Sequence, residues 1–280
     1  MAHRRTAGAK IATFAAHAVL MLGAVVMVMP MLLMVATSLK PPAEIALWPP
    51  VFFPRSPSFQ NFTGAFAAAP FGRFFLNSVL IATISTFSVA LTSLVAGAVF
   101  AKYAFPGRNI LFALILATAI VPFEAYMIPL YLQLVSLEWV NTYQGIILPY
   151  LFMAFGIFLM RQHVASSIPT ELMEAARVDG AGEWWILRRI IAPLSGNALA
   201  AVCIFAFIQG WGLFTWPLLM ANDQTMLNME LGLTAFQFAF TADTGKLMAG
   251  SVVSVVPMLI IFMLLRRRII ENMALTGLKG

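Results

Sequence analysis

Residues 74–101 read FFLNSVLIATISTFSVALTSLVAGAVFA and contain no Asp, Glu, Lys or Arg. A helix needs about 20 apolar residues to cross the hydrocarbon core of a bilayer, and this stretch is longer than that. The whole chain has the same character, because 61% of its 280 residues are hydrophobic and only 10% are charged. Soluble proteins carry roughly 25% charged residues, so the composition argues against a water-soluble domain and indicates a membrane protein.

Other stretches are also apolar enough to cross a membrane. In chain order they are Ile11–Thr37, Asn109–Phe123, Thr142–Met160, Ile190–Met220 and Leu247–Leu265. The apolar pattern of the third span continues past Glu124 to about Leu134 and is interrupted by Pro122 and Pro129. Proline removes a backbone donor and kinks helices, so we expect a bent or broken helix there.

These stretches predict an all-α, polytopic membrane protein with six transmembrane helices. The membrane domain is predicted to span residues 11–265, between a tail at 1–10 and a tail at 266–280. Ile11–Thr37 is much longer than the apolar region of a signal peptide, so we expect it to be a retained span. Membrane lipid is therefore an expected partner of the chain.

The distribution of basic residues predicts which loops face the cytoplasm, where Lys and Arg accumulate. If the N-terminus is cytoplasmic, the outer segments hold only Lys40, Arg55, Arg73 and Lys246 of the 17 Lys and Arg residues. We therefore expect both termini and residues 161–189 inside, with residues 38–73 and 221–246 outside. The first outer segment is rich in proline, which predicts irregular structure. Topology explains the net charge of +6, so we predict no nucleic-acid partner.

The sequence lacks the residue groupings that catalysis or metal binding requires. Lys246 follows a glycine as in a phosphate-binding loop, but the first glycine of that motif would fall at Phe240. The three histidines are His3, His17 and His163. None is spaced as a metal ligand, and Cys203 is the single cysteine. We predict no catalytic residue, no metal site and no cofactor in this chain.

Three residues within or beside the spans are candidates for a substrate path. Glu124 is a carboxylate in an apolar run, and such groups are costly and often functional. It has two interpretations, a structural role near the outer interface or a role in the path. Trp211 and Trp216 lie towards the outer half of the fifth span, where tryptophan anchors helices at the interface. Aromatic rings also stack on sugar rings, although the interfacial role is the commoner one.

Residues 167–185, SIPTELMEAARVDGAGEWW, lie in the longest inner segment and predict a short helix. Pro169 suits the first helical turn, Glu171 favours the positive end of the helix dipole, and Gly180 suits a left-handed end. We therefore predict a positive φ at Gly180 and a second helix starting near Gly182.

One side of this short helix combines an apolar residue with small ones. Leu172, Ala175 and Ala176 are spaced i, i+3 and i+4, so they share a face to which another surface could approach closely. The residues alone leave two possibilities open, a docking site for a soluble partner and a helix that lies on lipid.

Part of this segment resembles a known motif. Glu174-Ala175-Ala176, then Gly180 after three residues, then Ile190 and Ala192-Pro193, resembles the EAA motif of permease subunits from bacterial binding-protein-dependent ABC importers. The usual leucine before the proline is Ala192 here, and Gly212 follows Trp211 where many relatives have Asn. Further matches to the carbohydrate branch, the maltose-type inner-membrane component, are residues 76–78, 105–108, 128–131, 178–181, 216–218 and 279–280.

The resemblance implies a complex of several subunits in the bacterial inner membrane. Two homologous permeases would enclose a path, receive solute from an external solute-binding protein, and sit on two cytoplasmic ATPase subunits that use ATP and Mg. It implies that the short helix is a coupling helix. The ATPase-coupling residues would be Glu174, Ala175, Ala176, Asp179 and Gly180.

The resemblance favours a sugar or related polyol as the solute, with a glycerol-phosphate-type solute as the alternative. The spans contain no Lys or Arg to pair with a dianionic phosphate in this subunit. A secondary transporter would share the hydrophobicity and the basic inner loops, but repeated halves and charged mid-membrane segments are scarce here. A membrane scaffold without transport is the third possibility.

Overall fold

The computed structural model describes the backbone of residues 7–236 and 243–276, and all regular structure in those residues is helical. This confirms the predicted all-α class. The α-helices, numbered α1 to α15 in chain order, are Ala7–Ser38, Pro42–Ile45, Gln60–Ala68, Phe71–Lys102, Arg108–Thr118, Phe123–Ser136, Tyr143–Ile147, Ala154–Ser167, Thr170–Val178, Glu183–Ile186, Ala192–Leu194, Gly196–Trp211, Thr215–Met220, Met229–Leu233 and Thr244–Thr276. Short 3₁₀ segments cover Leu148–Tyr150, Gln224–Met226 and Thr234–Phe236, and a π-helical segment covers Leu187–Ile191.

Long unbroken helices and bent helix pairs supply the membrane spans. Among the described residues, α1, α4 and α15 each contain a stretch long and apolar enough to cross a membrane. Three more spans are bent pairs: α5 with α6 at 94°, α7 with α8 at 43°, and the segment from α10 to α11 with α12 at 83°. Counted as one span each, the pairs give the six predicted spans.

The structure corrects the predicted boundaries of the fourth and fifth spans. Ile190–Met220 was expected to be one helix, but α11 ends at Leu194, α12 covers Gly196–Trp211 and α13 is separate. Thr142–Met160 is interrupted after its 3₁₀ segment, and α8 continues to Ser167. Length and composition do not reveal these breaks, because all of the pieces are apolar.

Proline marks the third span as expected, but only one of its two prolines breaks a helix. Pro122 precedes α6 and lies at the 94° bend, whereas Pro129 lies inside α6. The proline-rich segment 38–73 is less irregular than predicted, because α2 and α3 form between its prolines.

The described residues fall into two compact units. One takes its residues from Met1–Ala69 and Leu233–Val253, and the other from Pro70–Gly232 and Ser254–Gly280. In the first unit, the Asn61 amide donates to the carbonyls of Ser38 at 2.9 Å and Lys40 at 2.7 Å. The Glu44 carboxylate accepts hydrogen bonds from two backbone N–H groups of the same segment. These bonds order the loop that follows α1.

The second unit is organised around α4, which packs against both α8 and α12. Small residues allow this close approach. A Cβ added at Gly97 would lie 2.5 Å from Cβ of Met160, and one added at Gly210 would lie 3.0 Å from Cα of Ala82. Small residues at helix interfaces let membrane helices pack closely through van der Waals contact.

Contacts within each unit join segments that were predicted to lie on the same side of the membrane. In the first unit, Gly64 faces the side chain of Lys246, and both belong to predicted outer segments. In the second unit, the Asn141 side chain accepts a hydrogen bond from the N–H of Asn222 at 3.0 Å. At the opposite end of α4, Lys102 contacts Thr170 of the predicted inner segment.

Candidate functional site

The predicted coupling helix exists as α9, Thr170–Val178, and packs through one face onto the core. Pro169 directly precedes the helix, in an extended conformation. Met173 and Ala176 are buried in a cluster with Val164 of α8 and Ile186 of α10. These contacts anchor the short helix to α8 and α10.

The exposed face of α9 differs in part from the predicted one. Leu172 and Ala175 remain exposed, as a docking face requires, but Ala176 turns towards the core beside Met173. Glu174 is exposed as well. Residues spaced i, i+3 and i+4 share a broad stripe of the helix surface, and this stripe includes both buried and exposed positions. The sequence alone does not show where the buried part of the stripe ends.

The end of α9 has the geometry that was predicted for Gly180. Its φ is +82°, which confirms the left-handed conformation. The N–H of Ala181 donates to the carbonyl of Ala176 at 2.9 Å, and the N–H of Gly180 donates to that of Arg177 at 3.0 Å. This pair of bonds is the Schellman motif, which satisfies the last carbonyls of a helix. As expected, the next helix, α10, begins directly after Gly182.

An ion pair connects the helices on either side of the Gly180 turn. The guanidinium of Arg177 donates to both carboxylate oxygens of Glu183, at 2.7 and 3.2 Å. The Tyr103 hydroxyl, just after α4, donates to the same carboxylate. Hydrogen bonds from Arg177 and then Tyr103 hold the pKa of Glu183 below its usual range, while burial and then the Glu183 carboxylate raise the pKa of Tyr103. The Glu183 hydrogen bond likewise raises the pKa of Arg177.

An open cleft of about 710 Å³ lies beside α9. It is lined by Leu172, Ala175, Ala176, Asp179, Gly180, Ala181, Gly182, Trp185 and Ile190. Most of the predicted coupling residues therefore share one concave surface, and Glu174 lies on the same helix outside the lining. Alanine and glycine make up most of the lining, together with Leu172, Trp185 and Ile190, and they leave the cleft open.

A second concavity, of about 820 Å³, lies where helices of the second unit are interrupted. Its walls come mainly from residues 118–126, 149–155 and 208–216, which include the breaks after α5, after the 3₁₀ segment and after α12. Irregular backbone is tolerated at membrane depth where it lines a water-filled cavity rather than lipid. The interruptions therefore lie where a concave surface, and not lipid, surrounds the irregular backbone.

The lining of this cavity combines aromatic rings with a few uncharged or acidic polar groups. Glu124 lines it, as do Gln209 and Tyr150, and no Lys or Arg is among the described lining residues. The Phe123 ring lies 5.5 Å from that of Trp216, edge to face, and 5.7 Å from that of Tyr150. Such a wall suits a neutral ligand with apolar faces and hydroxyl groups.

The two tryptophans predicted near the path are both buried. Trp211 is 0% exposed, donates its indole N–H to the carbonyl of Ser254 at 3.0 Å, and is not among the lining residues. Trp216 contributes to the wall but is 1% exposed, and its N–H donates to the carbonyl of Gly145. Of the three predicted path residues, Glu124 is thus the one whose polar group remains available.

Sequence reasoning missed Tyr126, Tyr150 and Thr215, which also line the cavity. The available signal was proline at the interruptions, since Pro122 and Pro149 lie among the lining residues. A proline that ends a helix inside an apolar stretch marks a place where backbone polar groups need another partner.

The amino-acid sequence is similar to those of known transport proteins. Residues 93–274 match the family described as binding-protein-dependent transport system inner membrane component. The chain is 35% identical to the arabinooligosaccharides transport system permease protein AraQ of Halalkalibacterium halodurans, over 92% of this chain and 93% of that protein. It is 34% identical to the diacetylchitobiose uptake system permease protein NgcG of Streptomyces coelicolor, over 90% and 84% of the two chains.

The fold also matches a solved structure. A chain of a bacterial ABC transporter involved in the import of the acidic polysaccharide alginate superimposes with a TM-score of 0.84. The match covers 95% of this chain and 99% of the other at 20% identity.

Proposed function

The chain belongs to the family of binding-protein-dependent transport system inner membrane components, and we propose that it translocates a sugar or related polyol across a bacterial cytoplasmic membrane. It is a permease subunit of an ABC importer and not an enzyme, because ATP hydrolysis belongs to separate subunits of such systems. An external solute-binding protein delivers the solute. The named relatives serve systems for arabino-oligosaccharides and diacetylchitobiose.

The lining of the 820 Å³ cavity is the observation that carries the carbohydrate proposal. A sugar has apolar C–H faces that pack on aromatic rings, and hydroxyl groups that donate to carboxylate or amide oxygens. Glu124, Gln209 and the cluster around Phe123 supply both kinds of contact. A phosphate-bearing solute would instead require cationic donors such as Arg or Lys.

A second, homologous permease completes the path in this proposal. Glu124 and Tyr126 line the cavity and yet remain exposed in the single chain, as expected if another subunit closes the wall opposite them. Both termini and α9 lie in the cytoplasm, in agreement with the basic residues of the inner segments.

The coupling proposal places α9 in contact with an ATPase subunit. Ala175, Asp179 and Gly180 share the open cleft, and Glu174 lies beside it. Closure of the ATPase pair on ATP and Mg would move α9 as a rigid body and tilt the attached spans between inward-facing and outward-facing states. A partner shifts such an equilibrium only through contacts that differ between the states, so the closed ATPase pair must fit the outward-facing permease better than the inward-facing one.

Uptake measurements in cells test the substrate proposal. Cells that carry or lack the chain are given labelled arabino-oligosaccharides, diacetylchitobiose and sn-glycerol 3-phosphate in turn. We expect chain-dependent uptake of an oligosaccharide. Uptake of glycerol phosphate alone would show that the carbohydrate proposal is wrong.

Substitution of Glu124 tests whether the cavity belongs to the path. Glu124→Gln should lower uptake about ten-fold, because hydrogen bonds to charged groups contribute roughly 1.5–3 kcal/mol. The matched control is Glu138→Gln, since Glu138 is exposed and outside the cavity lining. Equal uptake by both variants at matched membrane levels would contradict this assignment.

A further inference from the structure

The cytoplasmic end of α4 is attached to both ends of the coupling segment, residues 168–183. At the first end, the Lys102 ammonium donates to the carbonyl of Ile168 and to the hydroxyl of Thr170. At the second end, the Tyr103 hydroxyl donates to Glu183. The last residue of α4 therefore holds the start of the segment, and the residue that follows α4 holds its end.

The second attachment is a three-residue group that spans the Gly180 turn. The bidentate pair of Arg177 with Glu183 ties the last turn of α9 to the first residue of α10. The guanidinium carbon also lies 5.7 Å from the centre of the Tyr103 ring. Bidentate contacts between guanidinium and carboxylate fix orientation as well as distance. We call Tyr103, Arg177 and Glu183 the α4 joint.

The position of α4 makes this attachment mechanically relevant. α4 packs against both α8 and α12. Residues at the far ends of those two helices line the large cavity, including Phe155 of α8 and Gln209 of α12. Movement of α9 that reaches α4 is therefore passed to two walls of the cavity.

We propose that the α4 joint transmits the movement of α9 to α4 and so sets how much solute is moved per ATP hydrolysed. This inference rests on the proposed function. The three residues are positioning residues: they contact neither the solute cavity nor the cleft beside α9. Weakening the joint leaves the docking face intact while the spans follow α9 less faithfully.

The experiment compares variants in the assembled importer, with permeases, ATPase subunits and binding protein together in proteoliposomes. The probe solute is the oligosaccharide identified by the uptake screen described above. Glu183→Gln and Tyr103→Phe should each raise the number of ATP molecules hydrolysed per solute transported about three-fold. A change of this size corresponds to the free energy that a partly exposed ion pair or hydrogen bond contributes. Co-purification of the ATPase subunits should be unchanged, since the cleft is untouched.

Exchanging the charges of Arg177 and Glu183 tests whether the ion pair itself couples transport to ATP hydrolysis. Arg177→Glu and Glu183→Arg should each uncouple transport, and the double variant should recover most of the wild-type ratio. Glu171→Gln is the matched control, because Glu171 is an exposed acid of α9 outside the joint. The ATP hydrolysed per solute transported by this variant should equal that of the wild type.

The outcomes test the α4 joint separately from the proposed function. A normal ratio in Glu183→Gln and Tyr103→Phe, or a double variant no better than the single reversals, overturns the joint while leaving the proposed function intact. A wild-type complex in which no solute stimulates hydrolysis overturns the proposed function as well.

Discussion

Gly180 ends α9, the proposed coupling helix, in a conformation that few other residues adopt. Its φ is +82°, and a Cβ built on it meets nothing within 4 Å. The requirement for glycine is thus conformational and not steric. Asparagine tolerates this region better than most residues, whereas a β-branched residue does not.

This distinction gives a prediction at Gly180. Gly180→Val should strain the turn by about 1–3 kcal/mol, re-aim α9 and reduce uptake, while the spans stay inserted. Gly180→Asn should retain most of the uptake. Uptake and ATPase co-purification at matched membrane levels provide the measurement. If the Val variant transports as well as the wild type, the turn does not orient the coupling helix.

The titration of the α4 joint gives a prediction about pH. The pKa of Glu183 is lowered in the folded protein, so its stabilising contribution is present above its unfolded pKa of about 4.3 and is lost as pH falls through the folded value. The pKa of Tyr103 is raised from 10.0, so its contribution is present below that pH and is lost as pH rises through the folded value. Arg177, the third member, stays charged throughout.

Between about pH 5 and pH 9, the joint therefore keeps one protonation state. We expect the ATP hydrolysed per solute to stay constant over that range, even where the absolute rates vary. The ratio is measured in proteoliposomes at fixed ionic strength. A ratio that rises several-fold within this window would show that another titrating group controls coupling.

At the scale of elements, close packing of α4 on α8 predicts sensitivity at Gly97. A Cβ there would meet Cβ of Met160 at 2.5 Å and the backbone N of Arg161 at 2.9 Å, so the helices would have to separate. Gly97→Val should lower the free energy of unfolding by about 1–3 kcal/mol. The midpoint of thermal unfolding in detergent measures the effect.

The same helix offers a matched control. Gly72 lies in the first turn of α4, and a Cβ added to it meets nothing within 4 Å. Gly72→Ala should leave the midpoint unchanged or raise it, because alanine is the better helix former. If both variants unfold at the same temperature, close contact between α4 and α8 is not what Gly97 provides.

The sequence predicts elements well where one local rule decides and poorly where packing decides. α1 and α4 agree with their predicted spans within a few residues, because uninterrupted apolar length is a property of the sequence. The breaks before Ala154 and Gly196 were not foreseen, since apolar residues lie on both sides of each. The break before Ala154 lines the large cavity, whose other walls come from residues far apart in the chain.

The same contrast holds for the candidate site. Gly180 could be predicted, because a left-handed helix end is a local backbone requirement. The burial of Trp211 could not, since it depends on Ser254 and on stacking with Phe207. Tyr103 and Glu183 are 80 residues apart in sequence, so no spacing rule identifies the joint.

At the scale of the whole molecule, the orientation in the membrane is a prediction that labelling tests. After replacement of Cys203, single cysteines are introduced at Ser56 and Ser166, both of which are exposed. An impermeant thiol reagent added to sealed cells should label position 56 and spare position 166, because basic segments remain inside. Opening the cells should make both positions reactive. Labelling of position 166 from outside would invert the topology and exclude α9 from contact with a cytoplasmic ATPase.

We propose that this chain imports a solute only with ATP hydrolysed by partner subunits, through α9. Solute accumulation in proteoliposomes containing the complete complex tests it most directly, with ATP and Mg enclosed on the ATPase side and the loaded binding protein on the other. We predict uptake that requires ATP and the binding protein, persists when proton and sodium gradients are abolished, and is reduced in Gly180→Val. Uptake by this chain alone, driven by an ion gradient without the ATPase subunits, would contradict the account.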